Sequence, residues 1–511
     1  MRRPSAIPRF TAAVLGLALA SAPALAQCPD GTPPPCRTAG RAGTPVPAPN
    51  SVAVLYFENA SRDTADQYLA DGITEEITTS LGRIGRLHVV SPAAVRRAQQ
   101  SGGDDPVRLA RMLGVRNLVE GSVRRAGPQA RITARLLGAD ARTAVWTDAY
   151  TRPTADLLAL EEEIARQVAS GVVGMLLADE RQVLARTSTV IPEAHDHVMR
   201  GNFQLSRRTA AAIRRALTEY EAATALDSTY ALAWARQALG YALLHYWANL
   251  PDSSEAASDS VLVKGERAAE RALALDSTIS DAWAARGYMR LFRDPVGMRG
   301  VMAALRHAVA LNPNSAEAHH QFGTGYMWMG DPARGRSDLL RALELEPGRL
   351  VTFDNLTSEA TVGKRYAEAL RWSDSAVAVE PAHPYIYRER AIINAMIGDT
   401  AAAILNVETF TRLDPGHSSQ WQCYILMKVR AGPESRAACE SALRTVRHGD
   451  DSATVYLGLG DYERAIDAME SALRARRPFL LVFTLNVSWD PVRANPRFQR
   501  LLVALRPAPD N

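Results

Sequence analysis

The chain of 511 residues is poor in cysteine, aromatic residues and net charge. It has four cysteines, 6% aromatic residues and a formal net charge of +4. After residue 26, no apolar run approaches the roughly 18 residues that a membrane-spanning helix needs. A nucleic-acid-binding surface would need a concentrated basic face. We therefore expect no transmembrane segment in the mature chain and no nucleic-acid partner.

The sequence also lacks the common catalytic motifs. It has no Walker A sequence, no His-Glu-x-x-His, no Cys-x-x-Cys and no dinucleotide-binding glycine fingerprint. His195 and His197 form a His-x-His that would suit a metal on a strand, but the helical pattern around them splays their side chains apart. We expect no catalytic residue, no cofactor and no metal, and so no enzyme.

Residues 1–26 have the three parts of a signal peptide. Three arginines precede the apolar run from Thr11 to Ser21, and Ala24-Leu25-Ala26 forms a cleavage site. The alternative, a membrane anchor, is disfavoured because the run is short and Pro23 interrupts its end. We expect cleavage and export to the periplasm or the medium, which lowers the formal charge to about +1.

Residues 27–50 are rich in Pro, Ala, Gly and Thr and are expected to form a flexible linker. Cysteines of an exported protein favour disulfides. Cys28 and Cys36 bracket a Pro-rich loop, and Cys423 and Cys439 flank a Gly-Pro turn that would place them side by side on antiparallel helices. Free thiols or a metal site are the alternatives, although no histidines cluster beside either pair.

Residues 51–180 predict an α/β domain. An apolar, β-branched run at 51–57 predicts a buried strand, and amphipathic spacing predicts helices at 71–84, 107–113 and 156–178. Short strands follow at 88–90 and 117–123, and two alternating segments at 130–137 and 144–150. This order predicts a mixed sheet with helices packed against it. Residues 181–192 are expected to form a junction.

This region resembles the TolB amino-terminal-like and FlgO-like α/β domains. The resemblance lies in Val52-Ala53-Val54-Leu55 with Phe57-Glu58-Asn59, in residues 70–76, in residues 113–115 and 119–124, and in residues 160–165. It implies an exported accessory domain, usually joined to tetratricopeptide repeats and without shared catalytic chemistry. In many relatives a signalling domain and a membrane helix precede the module, whereas here a predicted signal peptide does.

Asp71, Glu75 and Glu76 share one predicted helix, with Asp71 and Glu75 one turn apart on the same face. Paired carboxylates can do acid-base chemistry or hold a cation. The plainer interpretation is that Asp71 caps the helix and the glutamates complement its positive N-terminal end. We favour the plainer one and keep an enzyme with an unrecognised acidic site as an alternative.

Residues 193–478 carry a 34-residue period. Pro313, Pro347, Pro381 and Pro415 are equally spaced, and a helix-turn-helix unit of this length is typical of tetratricopeptide repeats. The chain resembles that family, so we expect about eight helical hairpins stacked into a superhelix. Gly323 should be a position of close helix contact. Residues 479–511 should cap the apolar face of the last repeat.

In the family that it resembles, ligand contacts come from set positions of the first helix of each repeat. That register gives the following groove candidates: Tyr288, Phe292, Glu317, His320, Thr324, Met327, Trp328, Tyr385, Arg388, Ile392 and Met396. Rings with an Arg and a Met suit a peptide groove, since they give large contact area at low entropy cost. The alternative is that some of these rings pack against the neighbouring repeat. The Lys/Asn pattern of carboxylate-clamp repeats is missing.

The sequence therefore predicts an α/β domain followed by an all-α tetratricopeptide-repeat solenoid. The expected function is non-enzymatic binding or scaffolding of a protein or peptide of the cell envelope through the concave face. One alternative is a regulatory module whose α/β domain binds a small molecule or signal. The other is the enzyme with an acidic site around Asp71 to Glu76. Neither the partner nor the oligomeric state follows from the sequence.

Overall fold

The computed structural model describes residues 48–506, except residues 62, 103–104, 139–142, 185–188, 190, 206, 208–209, 249–254, 294–299, 417, 447, 476 and 478–479. The predicted signal peptide, nearly all of the linker, and Cys28 with Cys36 lie outside these residues, as does the side chain of Phe292. Among the residues described, no helix is both long and apolar enough to cross a membrane.

The first domain is built on one mixed sheet. Its strands are β1 Ser51–Val54, β2 Glu58–Asn59, β3 His88–Val89, β4 Asn117–Ala126, β5 Gln129–Leu137 and β6 Ala144–Pro153. The order is β3-β1-β4-β5-β6, with β2 also paired to β4. β1 is parallel to β3 and β4, and β4, β5 and β6 form an antiparallel meander. The predicted mixed sheet is confirmed.

Five helices accompany the sheet in the described part of this domain: α1 Gln67–Gly82, α2 Pro92–Gly102, α3 Pro106–Leu113, α4 Leu157–Val173 and α5 Ala178–Leu184. Residues of α1 and α4, such as Ile73 and Ile164, are buried against one face of the sheet, and α2 and α3 cover part of the other. The sequence analysis missed α2, whose apolar side is little more than Val95 and alanines. The helix predicted over 156–178 is shorter, because Gly174 ends α4 with a positive φ of 74°.

Eight helical hairpins follow within the described residues, as the 34-residue period predicts. Their helices are α6 Pro192–Leu205, α7 Ala210–Leu226, α8 Ala231–Ala248, α9 Glu255–Leu275, α10 Ser280–Arg293, α11 Val301–Leu311, α12 Ala316–Trp328, α13 Pro332–Leu345, α14 Leu350–Val362, α15 Tyr366–Val379, α16 Pro384–Ile397, α17 Thr400–Leu413, α18 Ser419–Val429, α19 Pro433–Thr445, α20 Gly449–Leu459 and α21 Tyr462–Arg474. The fold is an α/β domain followed by an α solenoid.

The four equally spaced prolines and Gly323 lie where the repeat pattern predicts. Pro313, Pro347, Pro381 and Pro415 each lie two residues beyond the last residue of a second helix, where the chain leaves the helix. A Cβ at Gly323 would lie 2.7 Å from the carbonyl oxygen of Gly335, so α12 and α13 touch through their backbones. The predicted close contact at Gly323 is confirmed.

The chain ends in α22 Leu480–Leu485, a 3₁₀ helix Val487–Val492 and α23 Pro496–Leu505. The rings of Trp489 and Phe498 are fully buried and stack with centroids 5.0 Å apart. They join the core formed by α16, α17, α18, α20 and α21. α23 is tied to α21 by Arg497, which pairs with Asp467 and Glu470. This segment, residues 480–505, is called the C-terminal segment below.

Candidate functional site

The acidic residues singled out on α1 belong to a polar cluster of Tyr56, Asp71, Glu75 and Arg96. Tyr56 lies two residues after β1, the two acids are one turn apart on α1, and Arg96 lies on α2. Arg96 donates to the Asp71 carboxylate at 2.9 Å and lies 3.7 Å from that of Glu75. Its guanidinium stacks 3.7 Å from the centre of the Tyr56 ring. We call these four residues the α1–α2 cluster.

Glu75 is the member of the α1–α2 cluster most able to change its charge. Burial raises the pKa of Glu75 to about 7, against the lowering effect of Arg96, and the Asp71 charge raises it further. The Tyr56 hydroxyl donates to Glu75 at 3.1 Å, and burial raises the pKa of Tyr56 far above its usual range. A carboxyl group with a pKa near neutrality can hold or release a proton at physiological pH.

Asp71 has a different setting. Its carboxylate is 1% exposed and accepts hydrogen bonds from Gln67 at 2.7 Å and from Arg96. The expectation that Asp71 caps the helix is wrong, because α1 begins at Gln67, a full turn earlier. The helix starts earlier because a 3₁₀ turn, capped by Asp63, leads directly into it. Asp71 is therefore an interior ion-pair residue.

A second polar group joins the α/β domain to the first hairpins. His195 of α6 lies 3.1 Å from the Glu161 carboxylate of α4 and 3.2 Å from the Tyr230 hydroxyl. His197 instead contacts Glu219, so the two histidines of the His-x-His point to different partners. Within the described residues, no three His, Cys, Asp or Glu side chains are grouped so as to hold a metal.

The groove candidates of α10 and α12 mostly face the neighbouring repeat. Tyr288, His320, Thr324 and Met327 are buried, each at most 6% exposed. The hydroxyl of Thr352, on α14, is 2.9 Å from His320 Nδ1, and Asn355 of α14 donates to Thr324 at 2.7 Å.

Two further candidates in this part lie closer to solvent. Glu317 pairs with Arg349 at 2.5 Å, and Trp328 is half-buried beside the small core of Leu291 and Met302. The α12 candidates thus act largely as contacts between hairpins in this conformation. Their part in binding a ligand stays a prediction.

The candidates of α16 share one apolar core with the C-terminal segment. Ile392 is fully buried in it, and Tyr385 and Met396 pack against it. The Arg388 guanidinium lies over the rings of Tyr385 and Trp421, at 5.1 and 5.4 Å.

An aromatic contact also links the C-terminal segment to this group. Phe483 of α22 meets the Trp421 ring edge-on at 6.1 Å. The structure therefore brings the α16 candidates together with Trp421 and with the chain's own C-terminal segment.

The C-terminal segment crosses the solenoid instead of capping only its last hairpin. α22 contacts α12, the first helix of the fourth hairpin. A Cβ added at Gly330, two residues after α12, would lie 3.2 Å from the Leu481 side chain. Phe483 contacts α18 of the seventh hairpin, and Asp490 pairs with Lys364 of the α14–α15 turn at 2.7 Å. The C-terminal segment therefore spans from the fourth to the seventh hairpin. The predicted cap thus also contacts first helices of earlier hairpins.

Sequence reasoning missed Tyr56, Arg96, Trp421 and Phe483. Arg96 was missed because helix α2 was not predicted. Trp421 lies in the hairpin where the 34-residue spacing shortens. The run Leu480-Leu-Val-Phe483 was a usable signal, because a concentrated apolar run in a terminal segment has to be buried somewhere.

Cys423 and Cys439 form a disulfide, as predicted. It joins α18 to α19, with Cα atoms 4.7 Å apart. Both cysteines are fully buried in a small core with Ala442 and Val455.

Comparison with protein-family models gives no match. Among curated proteins, the chain is 36% identical over 155 residues to a protein named putative adenylate cyclase 3 of Rhizobium meliloti (strain 1021). The matched part is 30% of this chain and 26% of that protein, so the chain spans about a quarter of the length of this relative.

Solved structures of repeat proteins resemble part of the chain. YrrB, a tetratricopeptide-repeat protein with an unusual peptide-binding site, is 16% identical with a TM-score of 0.28, covering 39% of this chain and 93% of its own. PilF of Pseudomonas aeruginosa is 15% identical with a TM-score of 0.34, covering 44% and 93%. PilW, a pilus biogenesis factor, is 16% identical with a TM-score of 0.34, covering 43% and 94%. With TM-scores below 0.5, these likenesses carry no functional argument.

Proposed function

We propose that this chain is a non-enzymatic scaffold of the cell envelope that binds a partner protein or peptide along the concave face of its solenoid. The observation that supports the proposal is the C-terminal segment, which contacts first helices of the fourth and seventh hairpins. A surface that takes an apolar, aromatic segment of its own chain can take a similar segment of a partner.

The contacts of the C-terminal segment indicate which peptides would fit. Leu480 and Leu481 supply buried aliphatic area, and Phe483 meets the Trp421 ring. Asp490 meets Lys364 at the rim. A buried aromatic anchor with a charged pair at the rim is the usual distribution of binding energy in a peptide groove. The proposed ligand is therefore a short apolar segment with one aromatic anchor, followed by an acidic residue.

The test uses a labelled synthetic peptide of residues 480–495 and fluorescence anisotropy. In the intact chain, the tethered segment competes with the peptide. Phe483→Ala weakens the tethered segment, so we expect this variant to bind the peptide about tenfold more tightly than the wild type. Val503→Ala is the matched control, because Val503 is 67% exposed on α23 of the same segment.

A second variant tests the groove itself. Trp421→Ala in the Phe483→Ala background removes the aromatic wall and should abolish peptide binding. If the Phe483→Ala chain binds no peptide, the C-terminal segment is only a cap and the scaffold proposal loses its main support. Circular dichroism of each variant shows whether it is folded.

The envelope location rests on the predicted signal peptide and is part of the proposal. Expression of the full chain followed by cell fractionation tests it. We expect the processed chain in the periplasmic or secreted fraction, and retention in the cytoplasm when the three arginines at positions 2, 3 and 9 are replaced by glutamates. An unprocessed chain in the cytoplasm of wild-type cells would contradict the location.

Ligand sensing by the α/β domain is the second candidate, and the α1–α2 cluster favours it. Arg96 is 32% exposed and lies beside Glu75, whose pKa is about 7. A small carboxylate ligand could pair with Arg96 there. A saturable rise in melting temperature with such a ligand, absent in Arg96→Met, would support sensing. Metal-dependent turnover abolished by Glu75→Gln would instead support an enzyme.

The curated relative bears on this second candidate only weakly. Its name describes a cyclase, but the chain matches about a quarter of that protein. Fold and partial likeness do not carry an activity from one protein to another. We propose no cyclase activity for this chain.

A further inference from the structure

Strand β6 is an open edge of the sheet. It pairs with β5 on one side, and no other described strand pairs with it. Of its ten residues only Tyr150 is buried, and Val145 is 53% exposed. A long open edge presents backbone donors and acceptors to another strand.

The direction of the backbone groups follows from the register. Thr154 donates its N–H to the carbonyl of Pro128, which lies on the β5 side. Since backbone groups alternate along a strand, the even-numbered residues 148, 150 and 152 point toward β5. The odd-numbered residues Thr147, Ala149, Thr151 and Pro153 point outward. Pro153 has no N–H to donate. Proline is tolerated at an outward-pointing position of an edge strand, because no strand of the same sheet needs that donor.

Two charged residues flank Tyr150 symmetrically. Asp148 and Arg152 lie two residues before and after it, so all three side chains are on the same face of the strand. The Asp148 carboxylate accepts from the N–H of Ala149 and lies near the Tyr150 hydroxyl, and Arg152 donates to the carbonyl of Thr151. Neither is in an ion pair with a residue that the structure describes.

We propose that β6 pairs with β6 of a second copy of this chain, antiparallel and two-fold about Tyr150. In that register the N–H of Ala149 leaves the Asp148 carboxylate. Ala149 and Thr151 then exchange backbone hydrogen bonds with Thr151 and Ala149 of the second copy. Asp148 of each copy lies opposite Arg152 of the other, at the closely spaced pairs between the hydrogen-bonded ones. The two-fold axis makes every contact twice, as an isologous interface requires.

The charge pattern is the reason for choosing a second copy as the occupant. A two-fold antiparallel pairing requires the strand to be complementary to itself when reversed. Asp148 and Arg152 meet this requirement about Tyr150, whereas a strand with two like charges in these places would repel its copy. The proposal is independent of peptide binding on the concave face.

The test measures molar mass by light scattering across a concentration series from about 1 to 100 µM. We expect the wild type to dimerise, and Asp148→Arg and Arg152→Asp to weaken the dimer by at least about tenfold, because each places like charges opposite each other. The double variant D148R/R152D restores opposite charges across the axis and should dimerise like the wild type. Arg371→Asp, at an exposed site on α15, is the control for a charge change elsewhere.

Hydrogen exchange identifies the surface that is used. In the dimer, the amides of Ala149 and Thr151 should be protected, and this protection should disappear in Arg152→Asp. A wild type that stays monomeric throughout the series overturns the proposal. So does a dimer whose affinity is the same in both single variants, because it would use another surface.

Discussion

Glu75 shows how the setting of one residue decides what it can do. In the sequence it is one of three acids on a helix, whereas in the structure its carboxyl lies between Tyr56, Asp71 and Arg96. Asp71, one turn away, is held by two hydrogen bonds and is nearly inaccessible to solvent. Two carboxylates with the same sequence signal thus have different roles.

The raised pKa of Glu75 predicts a pH dependence of stability. Its pKa is about 7 in the folded chain, against the ordinary 4.5 of a glutamate in the unfolded chain. Between these values the folded chain holds a proton that the unfolded chain has lost, so the free energy of unfolding falls as pH rises, by up to about 3 kcal/mol. We expect Glu75→Gln to reduce the difference in melting temperature between pH 5 and pH 8.

The control for this measurement is Glu434→Gln, since the Glu434 side chain is 85% exposed. It should leave the pH dependence unchanged. An equal pH dependence in wild type and Glu75→Gln would show that Glu75 titrates normally.

Gly323 is a second residue whose neighbours set its role. A Cβ there would press on the backbone of Gly335, which cannot move aside as a flexible side chain can. Gly323→Ala should therefore lower the free energy of unfolding by about 1 to 3 kcal/mol. Gly432→Ala is the matched control, because nothing lies within 4 Å of a Cβ at that position. Equal urea midpoints for the two variants would contradict the close contact of α12 and α13.

At the scale of the elements, the hairpin of α18 and α19 is held by a disulfide as well as by packing. The disulfide from Cys423 to Cys439 closes a loop of 16 residues, which restricts the unfolded chain. A loop of this length is worth about 3 kcal/mol. We expect reduction to lower the melting temperature and to speed hydrogen exchange in α18 to α20 more than in α1 to α4.

A chain with both Cys423→Ala and Cys439→Ala isolates this effect. Reduction should not lower the melting temperature of this variant. A shift that remains would come from the other two cysteines. If reduction leaves exchange in α18 to α20 as slow as before, packing alone holds the hairpin.

At the scale of the whole molecule, the α/β domain and the solenoid are joined by specific polar contacts. Asn314, in the turn before α12, donates to the carbonyls of Gly82 and Leu87 and accepts from the N–H of Val89. These three bonds fix the end of α1 and the start of β3 against the fourth hairpin. Arg97 of α2 adds a bond to the carbonyl of Pro347, one repeat further along.

Asn314→Ala should uncouple the two parts. It leaves two carbonyls and one N–H buried without partners, which costs roughly 2 to 4 kcal/mol. We expect the strand signal of the α/β domain and the helix signal of the solenoid to melt at separate temperatures in the variant, followed by infrared spectroscopy. Asn355→Ala, which breaks a bond inside the solenoid, should lower stability without separating the two transitions. Coincident melting in Asn314→Ala would show that other contacts are enough.

The local elements and their repetition followed from the amino-acid sequence. The 34-residue proline spacing, Gly323 and the cysteine pair around the Gly-Pro turn gave the hairpins and the disulfide, because each depends on residues close together in the chain. The weakly apolar helix α2 was missed, because it is buried against a sheet whose position local spacing does not show.

Which side chains are buried depends on the packing of the whole chain. The groove register was read from positions on single helices, but whether Tyr288 or Ile392 meets solvent depends on neighbours that are distant in sequence. The C-terminal segment reaches helices more than a hundred residues away, and Asn314 holds residues over two hundred positions distant. Local spacing in the sequence does not show such contacts, because small rotations between successive hairpins of a solenoid accumulate over many residues.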